Sequence, residues 1–295
     1  MSAAYSGADP AYGGDQSKRP SKKVSTADPF EDIEPGEPFL DWKHPLNLHP
    51  WYYAHQAIRA DFEDNIAVLD KMIAAIEIGT YCRYKYSCFT LIPITHLKIR
   101  WMTHNYIKFT ALQIEFMHHH HELEDKVVFP LMATKMAIDP NVSKDHEDVA
   151  LRCNSIDKKT KALLSSPNLL DSYNEIRAEM VALRDVLEPH LQEEELVLLP
   201  ALLRKFTHEE ITVVERPATR GLPWALLPHF YRRLSKTERE SHLIDIFGMP
   251  VFVVHWILAG SFKKYQVVYG DCIDELLNPD LREENMKRNA SCVIA

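Results

Sequence analysis

A histidine and a glutamate four residues apart occur twice in this sequence, in the same local setting. The two copies are His120-x-x-x-Glu124 before Phe129-Pro130 and His190-x-x-x-Glu194 before Leu199-Pro200. In each copy a second acid follows the glutamate directly, as Asp125 or Glu195. Because residues four apart lie on one face of a helix, two such helices can present imidazoles and carboxylates to one interior point. This pattern predicts a metal site.

The first copy lies within a run of four histidines, which leaves its helical register open. His118 is spaced to pair with Glu122, and His121 is spaced to pair with Asp125. The repeat favours the pair given above, because only that pair reproduces the distance to the downstream proline. The other three histidines are expected to face solvent or to lie beside the ligands, with His121 as a candidate proton relay.

Four long amphipathic segments are expected to position these side chains. The predicted helices cover about residues 50–78, 104–136, 143 onwards and 170–206. His55 shares the apolar stripe of the first helix, and His146 shares that of the third. Long helices joined by short connections predict an all-α protein, with an antiparallel four-helix bundle and an appended C-terminal helical unit.

Six side chains are therefore predicted to be metal ligands in one interior. They are His55, His120, Glu124, His146, His190 and Glu194. Four imidazoles and two carboxylates exceed the four ligands of a tetrahedral zinc. They suit two metal ions bridged by the two glutamates, with two histidines on each ion. Mixed imidazole and carboxylate ligation with open positions is typical of non-haem iron.

The same residues resemble a known family, the hemerythrin-like (HHE cation-binding) domain. The resemblance covers about residues 44–207 and rests on His55-Gln56-Ala57-Ile58-Arg59, the two repeat motifs and His146-Glu147. It implies an up-down four-helix bundle with two iron ions, oxo- or hydroxo-bridged, on the same six residues. The sequence departs from oxygen-carrying members at Ala150, where they have a second histidine, so the centre is expected to be one imidazole poorer.

Composition and the flanking segments bound the remaining possibilities. The net charge of −8 argues against nucleic acid as a partner. Five cysteines without a CxxC pair favour a reducing compartment, and the N-terminus has no secretory signal, so the expected location is the cytoplasm. Residues 1–40 are predicted to be a disordered tail, 42–207 the bundle, 81–100 an atypical insertion without helical period, 210–285 an appended helical region and 286–295 a tail.

Two features of the C-terminal part complete the predictions. The sequence Cys292-Val293-Ile294-Ala295 is a C-a-a-X prenylation motif that favours farnesyl, with Cys292 as the lipidation site and reversible membrane association as its consequence. The apolar run 249–260, with Trp256 in it, is expected to form the core of the appended region.

Three functional hypotheses follow from the sequence. The first is a di-iron protein that binds or senses iron and O2 or NO. The second is a di-iron oxidoreductase that activates O2 or peroxide, with Tyr52, Tyr53 and His121 as candidate proton donors. The third is a non-redox helical adaptor with a structural metal, in which residues 210–285 and the lipid carry the function.

Overall fold

The structure is a computed structural model, and it describes residues 38–86, 92–219, 223–246, 248–278 and 281. Within these ranges every regular element is helical. The prediction of an all-α protein is therefore confirmed. Most of the predicted N-terminal tail, all of the predicted C-terminal tail and the predicted lipidation site Cys292 lie outside the described residues.

The described α-helices, numbered in chain order, are separated in several places by π-helical segments. The α-helices are α1 (Pro50–Tyr86), α2 (Ile92–Leu123), α3 (Phe129–Ala133), α4 (Pro140–Ala162), α5 (Leu169–Glu193), α6 (Leu199–Lys205), α7 (His208–Thr219), α8 (Leu226–Phe230), α9 (Lys236–Ser241), α10 (Ala259–Tyr265) and α11 (Asp271–Leu277). The π-helical segments are Glu124–Val128, Glu194–Leu198, His242–Ile246, Val253–Leu258 and Gln266–Gly270.

The four long helices pack around a shared core. Helix α1 contacts α2 and α5, and α4 contacts the same two helices, so each long helix has two long neighbours. Large apolar side chains on all four fill the space between them, among them Phe62, Phe109, Ile156 and Leu183, each at most 1 % exposed. Burial of these side chains holds the four histidine-bearing helices in fixed register.

The segment 81–100, predicted to be an atypical insertion without helical period, is helical in its described residues, 81–86 and 92–100. Helix α1 continues to Tyr86 and α2 begins at Ile92, so both helices extend well beyond their predicted ends. The aromatic and β-branched residues of this segment obscured the helical period. Their modest helix propensities do not prevent extension of a helix that is already nucleated and packed further along the chain.

The region after α7 packs onto the bundle and shares its core. Buried Leu226, Tyr265, Ile273 and Leu276 belong to the same apolar cluster as the bundle side chains. Helices α8 and α11 contact α1, and α11 also contacts α2. The appended helices therefore complete the bundle core in addition to forming a smaller cluster around Tyr231.

The apolar run 249–260 is only partly buried, so its predicted role as a core is wrong for several residues. Val254 is 5 % exposed, whereas Val251, Phe252 and Trp256 are 51 %, 62 % and 84 % exposed. A helical segment that packs against one neighbouring surface buries only the face in contact with it, and the apolar residues on its other faces stay exposed. No helix in the described residues has both the length and the apolarity needed to cross a bilayer.

Candidate metal centre

The six predicted ligands come together in the interior, one histidine from each long helix. His55 lies on α1, His120 on α2, His146 on α4 and His190 on α5. The two glutamates, Glu124 and Glu194, each begin a π-helical segment. All six side chains are buried, with exposed fractions between 0 % and 8 %.

The internal repeat of the sequence is reproduced by two matching π-helical segments. The backbone N–H of Phe129 donates to the carbonyl of Glu124, and that of Leu199 donates to the carbonyl of Glu194. A proline follows each donor. Because proline lacks an N–H and its ring clashes with the carbonyl four residues earlier, it disfavours regular α-helix there. The wider π-helical turn sets the direction in which each glutamate side chain points. Such turns are frequent at functional sites.

The oxygens of each glutamate are divided between two pairs of histidines. One oxygen of Glu124 lies 3.2 Å from His120 Nε2 and 3.8 Å from His55 Nε2, and the other lies 3.7 Å from His146 Nε2. Glu194 repeats the arrangement, with Oε2 3.2 Å from His55 Nε2 and Oε1 3.3 Å from His190 Nε2 and 3.6 Å from His146 Nε2. Each carboxylate thus lies between the pair His55 and His120 and the pair His146 and His190.

Several of these atoms are buried without any hydrogen bond. They are His55 Nε2, His120 Nε2, Glu124 Oε2 and both carboxylate oxygens of Glu194. Buried polar groups are normally paired, because an unpaired one keeps the full cost of its lost hydration. Atoms that face one another at ligand spacing and lack other partners fit a bound cation. The donor set is thus suited to metal ions.

Burial also controls the protonation of the cluster. It raises the pKa of Glu194 well above its usual range, and repulsion from Glu124 adds to this shift. Burial raises the pKa of Glu124 well above its usual range as well. The pKa values of His55 and His120 are lowered well below their usual range by burial, so both rings are neutral and offer a free lone pair.

Comparison with known families agrees with this geometry. The family model described as the hemerythrin HHE cation-binding domain matches residues 48–202, which is more than half of the 295 residues. The chain belongs to the hemerythrin HHE family. Comparisons with curated proteins and with solved structures found no match. Family membership identifies residues 48–202 as a cation-binding domain, and the cluster of histidines and glutamates lies within it.

In this HHE domain the second acid of each repeat contacts a histidine from another helix. Asp125 Oδ1 lies 3.0 Å from His146 Nδ1, and Glu195 Oε1 lies 3.0 Å from His55 Nδ1. Arg59 donates to both oxygens of Glu195, from Nη1 at 2.5 Å and from Nη2 at 3.1 Å. Such carboxylates fix the ring orientation of a metal-binding histidine and raise its basicity.

Trp51 was not identified from the sequence as part of the site, whereas His121 was predicted as a candidate proton relay. The indole Nε1 of Trp51 donates a hydrogen bond to Glu124 Oε1. His121, expected to face solvent or to lie beside the ligands, is 5 % exposed and lies against His146 and His190. The apolar period of α1 marks Trp51 only as a buried residue, and the repeat has no counterpart of His121 in its second copy.

Proposed function

We propose that this chain is a non-haem di-iron protein that binds or senses iron and a diatomic gas, O2 or NO. In this proposal two iron ions lie within an antiparallel four-helix bundle. Glu124 and Glu194 bridge the ions, His55 and His120 bind one ion, and His146 and His190 bind the other.

The observation that carries the proposal is the division of carboxylate oxygens. Each glutamate directs one oxygen to one histidine pair and the other oxygen to the second pair. A single ion midway between the two histidine pairs would not require each carboxylate to divide its oxygens between them. Two ions use every inward-facing nitrogen and oxygen of the six side chains.

The choice of iron rests on the chemistry of the donors. Neutral imidazoles with carboxylates and open coordination positions suit non-haem iron, whereas structural zinc sites are closed with four ligands. Iron ions held there would supply open positions and a reversible change of charge for a small ligand.

The burial of the site favours binding over turnover of an organic substrate. None of the six proposed ligands is more than 8 % exposed. A diatomic gas can reach such a site through small fluctuations of the packing, whereas an organic substrate requires a formed pocket. The oxidoreductase hypothesis stays a prediction, and it would be favoured by turnover of an added organic reductant.

The first experiment measures metal content and optical spectrum of the protein as isolated, after anaerobic reduction and after exposure to air. We expect about two irons per chain, as two bridging carboxylates imply, and near-ultraviolet charge-transfer bands that change with oxygen. One zinc, or no metal, would refute the proposal and leave the adaptor hypothesis as the better one.

A matched pair of variants tests the role of the glutamates. Glu124→Gln removes one proposed bridge, and we expect it to abolish the two-ion centre. Glu122→Gln is the control, because Glu122 lies on the same turn but is exposed and pairs with Lys126. Retention of both ions by the Glu124 variant would show that this glutamate does not bridge them. Glu194→Gln is expected to behave like Glu124→Gln.

A further inference from the structure

We propose that one face of the helical stretch 251–277 binds the surface of an anionic lipid bilayer and lies flat in its interface. Residues 251–277 form a continuous helix in which π-helical and α-helical turns alternate. The inference uses none of the six proposed metal ligands, and it does not depend on the proposed function.

The exposed side chains of this helix occur in adjacent pairs that repeat every four residues. The side chains between the pairs are buried or half-buried wherever the structure describes them. An α-helix turns every 3.6 residues and a π-helical turn holds more, so alternation of the two keeps the pairs in one row, roughly 25 Å long. We call this row the outer face, and its pairs are 251–252, 255–256, 259–260, 263–264 and 267–268.

The outer face is mostly apolar although it is exposed to solvent. Trp256 is 84 % exposed, Phe252 is 62 % exposed, and Val267 near the other end is 49 % exposed. A contiguous apolar surface of this kind marks an interaction site, whereas single exposed apolar residues are ordinary. Trp and Phe together with Lys are typical of amphipathic helices that lie in a membrane interface.

The full charges of the outer face are positive. Lys263 and Lys264 lie on it, and no Asp or Glu occurs in the sequence from 249 to 270. The whole chain, in contrast, has a net charge of −8. The outer face is therefore a local exception in an acidic protein, and its charge is complementary to that of anionic phospholipids.

A second exposed indole adjoins the lysines. Lys264 Nζ lies 4.0 Å from the ring centroid of Trp224, which is 40 % exposed. This cation–π contact holds the ammonium group beside an aromatic ring. Because tryptophan is enriched where headgroups meet acyl chains, Trp224 extends the surface that suits a bilayer.

Charge favours a lipid surface over a second copy of the chain. Two outer faces in contact would bring two lysines from each copy into an interface without an acid on either face. A nearby acid, Glu240, lies 3.5 Å from His255 Nε2 but also 3.9 Å from Lys236 Nζ, so it already has a lysine beside it. An anionic bilayer accepts the apolar side chains and also attracts both lysines.

The test measures co-sedimentation of the full chain with vesicles of phosphatidylcholine, alone or mixed with phosphatidylserine. All proteins carry Cys292→Ser, so that the predicted lipid cannot contribute. We expect binding to the serine-containing vesicles that weakens as salt is added, and weaker binding to phosphatidylcholine alone. Absence of binding to the anionic vesicles would overturn the proposal.

A double substitution tests the apolar part of the outer face. Phe252→Ser with Trp256→Ser changes two exposed side chains, so the fold should be retained. We expect this variant to bind anionic vesicles at least about tenfold more weakly than the parent chain. Leu151→Ser should match the parent, because Leu151 is 68 % exposed but lies on α4. Equal affinities of the double variant and this control would refute the assignment of the outer face.

A second double substitution tests the lysines. Lys263→Gln with Lys264→Gln should weaken binding to anionic vesicles by roughly fivefold for each lysine, and should leave binding to phosphatidylcholine unchanged. Lys144→Gln with Lys158→Gln is the control, since it changes the net charge equally at two exposed lysines of α4. The same loss in both variants would mean that net charge governs binding, which would contradict a role for the outer face.

Sedimentation of the protein without vesicles tests the competing occupant. We expect the parent chain and the Phe252→Ser, Trp256→Ser variant to have the same oligomeric state. A dimer of the parent chain that this variant dissociates would assign the outer face to a second copy and overturn the proposal.

Discussion

His55 Nδ1 lies 3.0 Å from Oε1 of Glu195, the residue that directly follows Glu194, the proposed bridging glutamate just after α5. Asp125 stands in the same relation to its own motif and lies 3.0 Å from Nδ1 of His146. Each repeat motif therefore carries one acid that is a proposed metal ligand and a second acid that contacts a histidine of another helix. This pairing ties all four helices to the orientation of the ligands.

Removal of the second acid should weaken metal binding without removing a ligand. We expect Glu195→Ala to lower iron affinity by about 10- to 100-fold, because His55 loses the carboxylate that holds its ring. Chelator competition measures the affinity, and circular dichroism checks the helices. Glu193→Ala is the control, since Glu193 is exposed on the same turn. Equal affinities of the two variants would contradict a supporting role for Glu195.

Metal binding should release protons. Burial raises the pKa values of Glu124 and Glu194 well above 4.5 in the metal-free protein. A bound cation displaces the protons that these carboxylates retain, so the apparent affinity should rise with pH. Calorimetric titration with Fe(II) near pH 6, in buffers of different ionisation enthalpy, should report release of about one proton or more per chain. Glu194→Gln should release fewer. If Glu194→Gln released as many protons per chain as the wild type, the prediction would be contradicted.

The same carboxylates also make a pH-dependent contribution to the stability of the metal-free protein. Their folded pKa values exceed the unfolded ones, so their contribution is fully present below the unfolded pKa near 4.5. It is lost as the pH rises through the folded values, because two unpaired charges then share a buried site. The stability of metal-free Glu194→Gln in urea, measured relative to that of metal-free wild type, should therefore increase as the pH is raised toward neutrality.

The contact between α1 and the region after α7 depends on a buried charged network. Asp61 Oδ2 lies 2.7 Å from His229 Nε2, and Arg232 Nε donates to Asp61 Oδ1 at 3.0 Å. We expect Asp61→Asn to destabilise the protein by about 3 kcal/mol at neutral pH, because the buried Arg232 guanidinium then loses one of its two charged partners and keeps only Asp64. Urea unfolding measures this difference, and Glu63→Gln, at an exposed neighbouring position, should change little.

The effect of Asp61 should disappear in acid. Burial alone would raise the pKa of Asp61, but His229 and Arg232 lower it below its ordinary value of 3.8. A depressed folded pKa contributes stability that is present above 3.8 and is lost as the pH falls through the folded pKa. The difference between wild type and Asp61→Asn should therefore shrink below about pH 4. A difference independent of pH would mean that packing, not charge, dominates.

The sequence was sufficient to predict the helical class and the six inward-facing residues. A helical period identifies the buried stripe of each helix, and the repeat fixed the register of His120 within its run. The ends of α1 and α2 were misplaced, because aromatic and β-branched residues between them hide the period. Helix extension there follows from packing elsewhere along the chain.

Contacts between helices could not be predicted in the same way. Periodicity shows that His55 and Glu195 are inward on their own helices, but not that they meet, since this depends on the rotation of each helix about its axis. His121 was predicted either to face solvent or to lie beside the ligands, and the repeat could not decide between the two because its second copy has no equivalent histidine. Ala150 suggested one imidazole fewer, whereas the structure places His121 beside His146.

Trp51 donates a hydrogen bond to Glu124, which places a fluorescent side chain beside the proposed metal ligands. The indole ring is 8 % exposed, and its centroid lies 6.3 Å from that of His55. Tryptophan emission is quenched by paramagnetic ions at such short range, whereas the surface indoles Trp224 and Trp256 report mainly on solvent. Loading and loss of iron would thus appear directly in the blue-shifted part of the fluorescence of this chain.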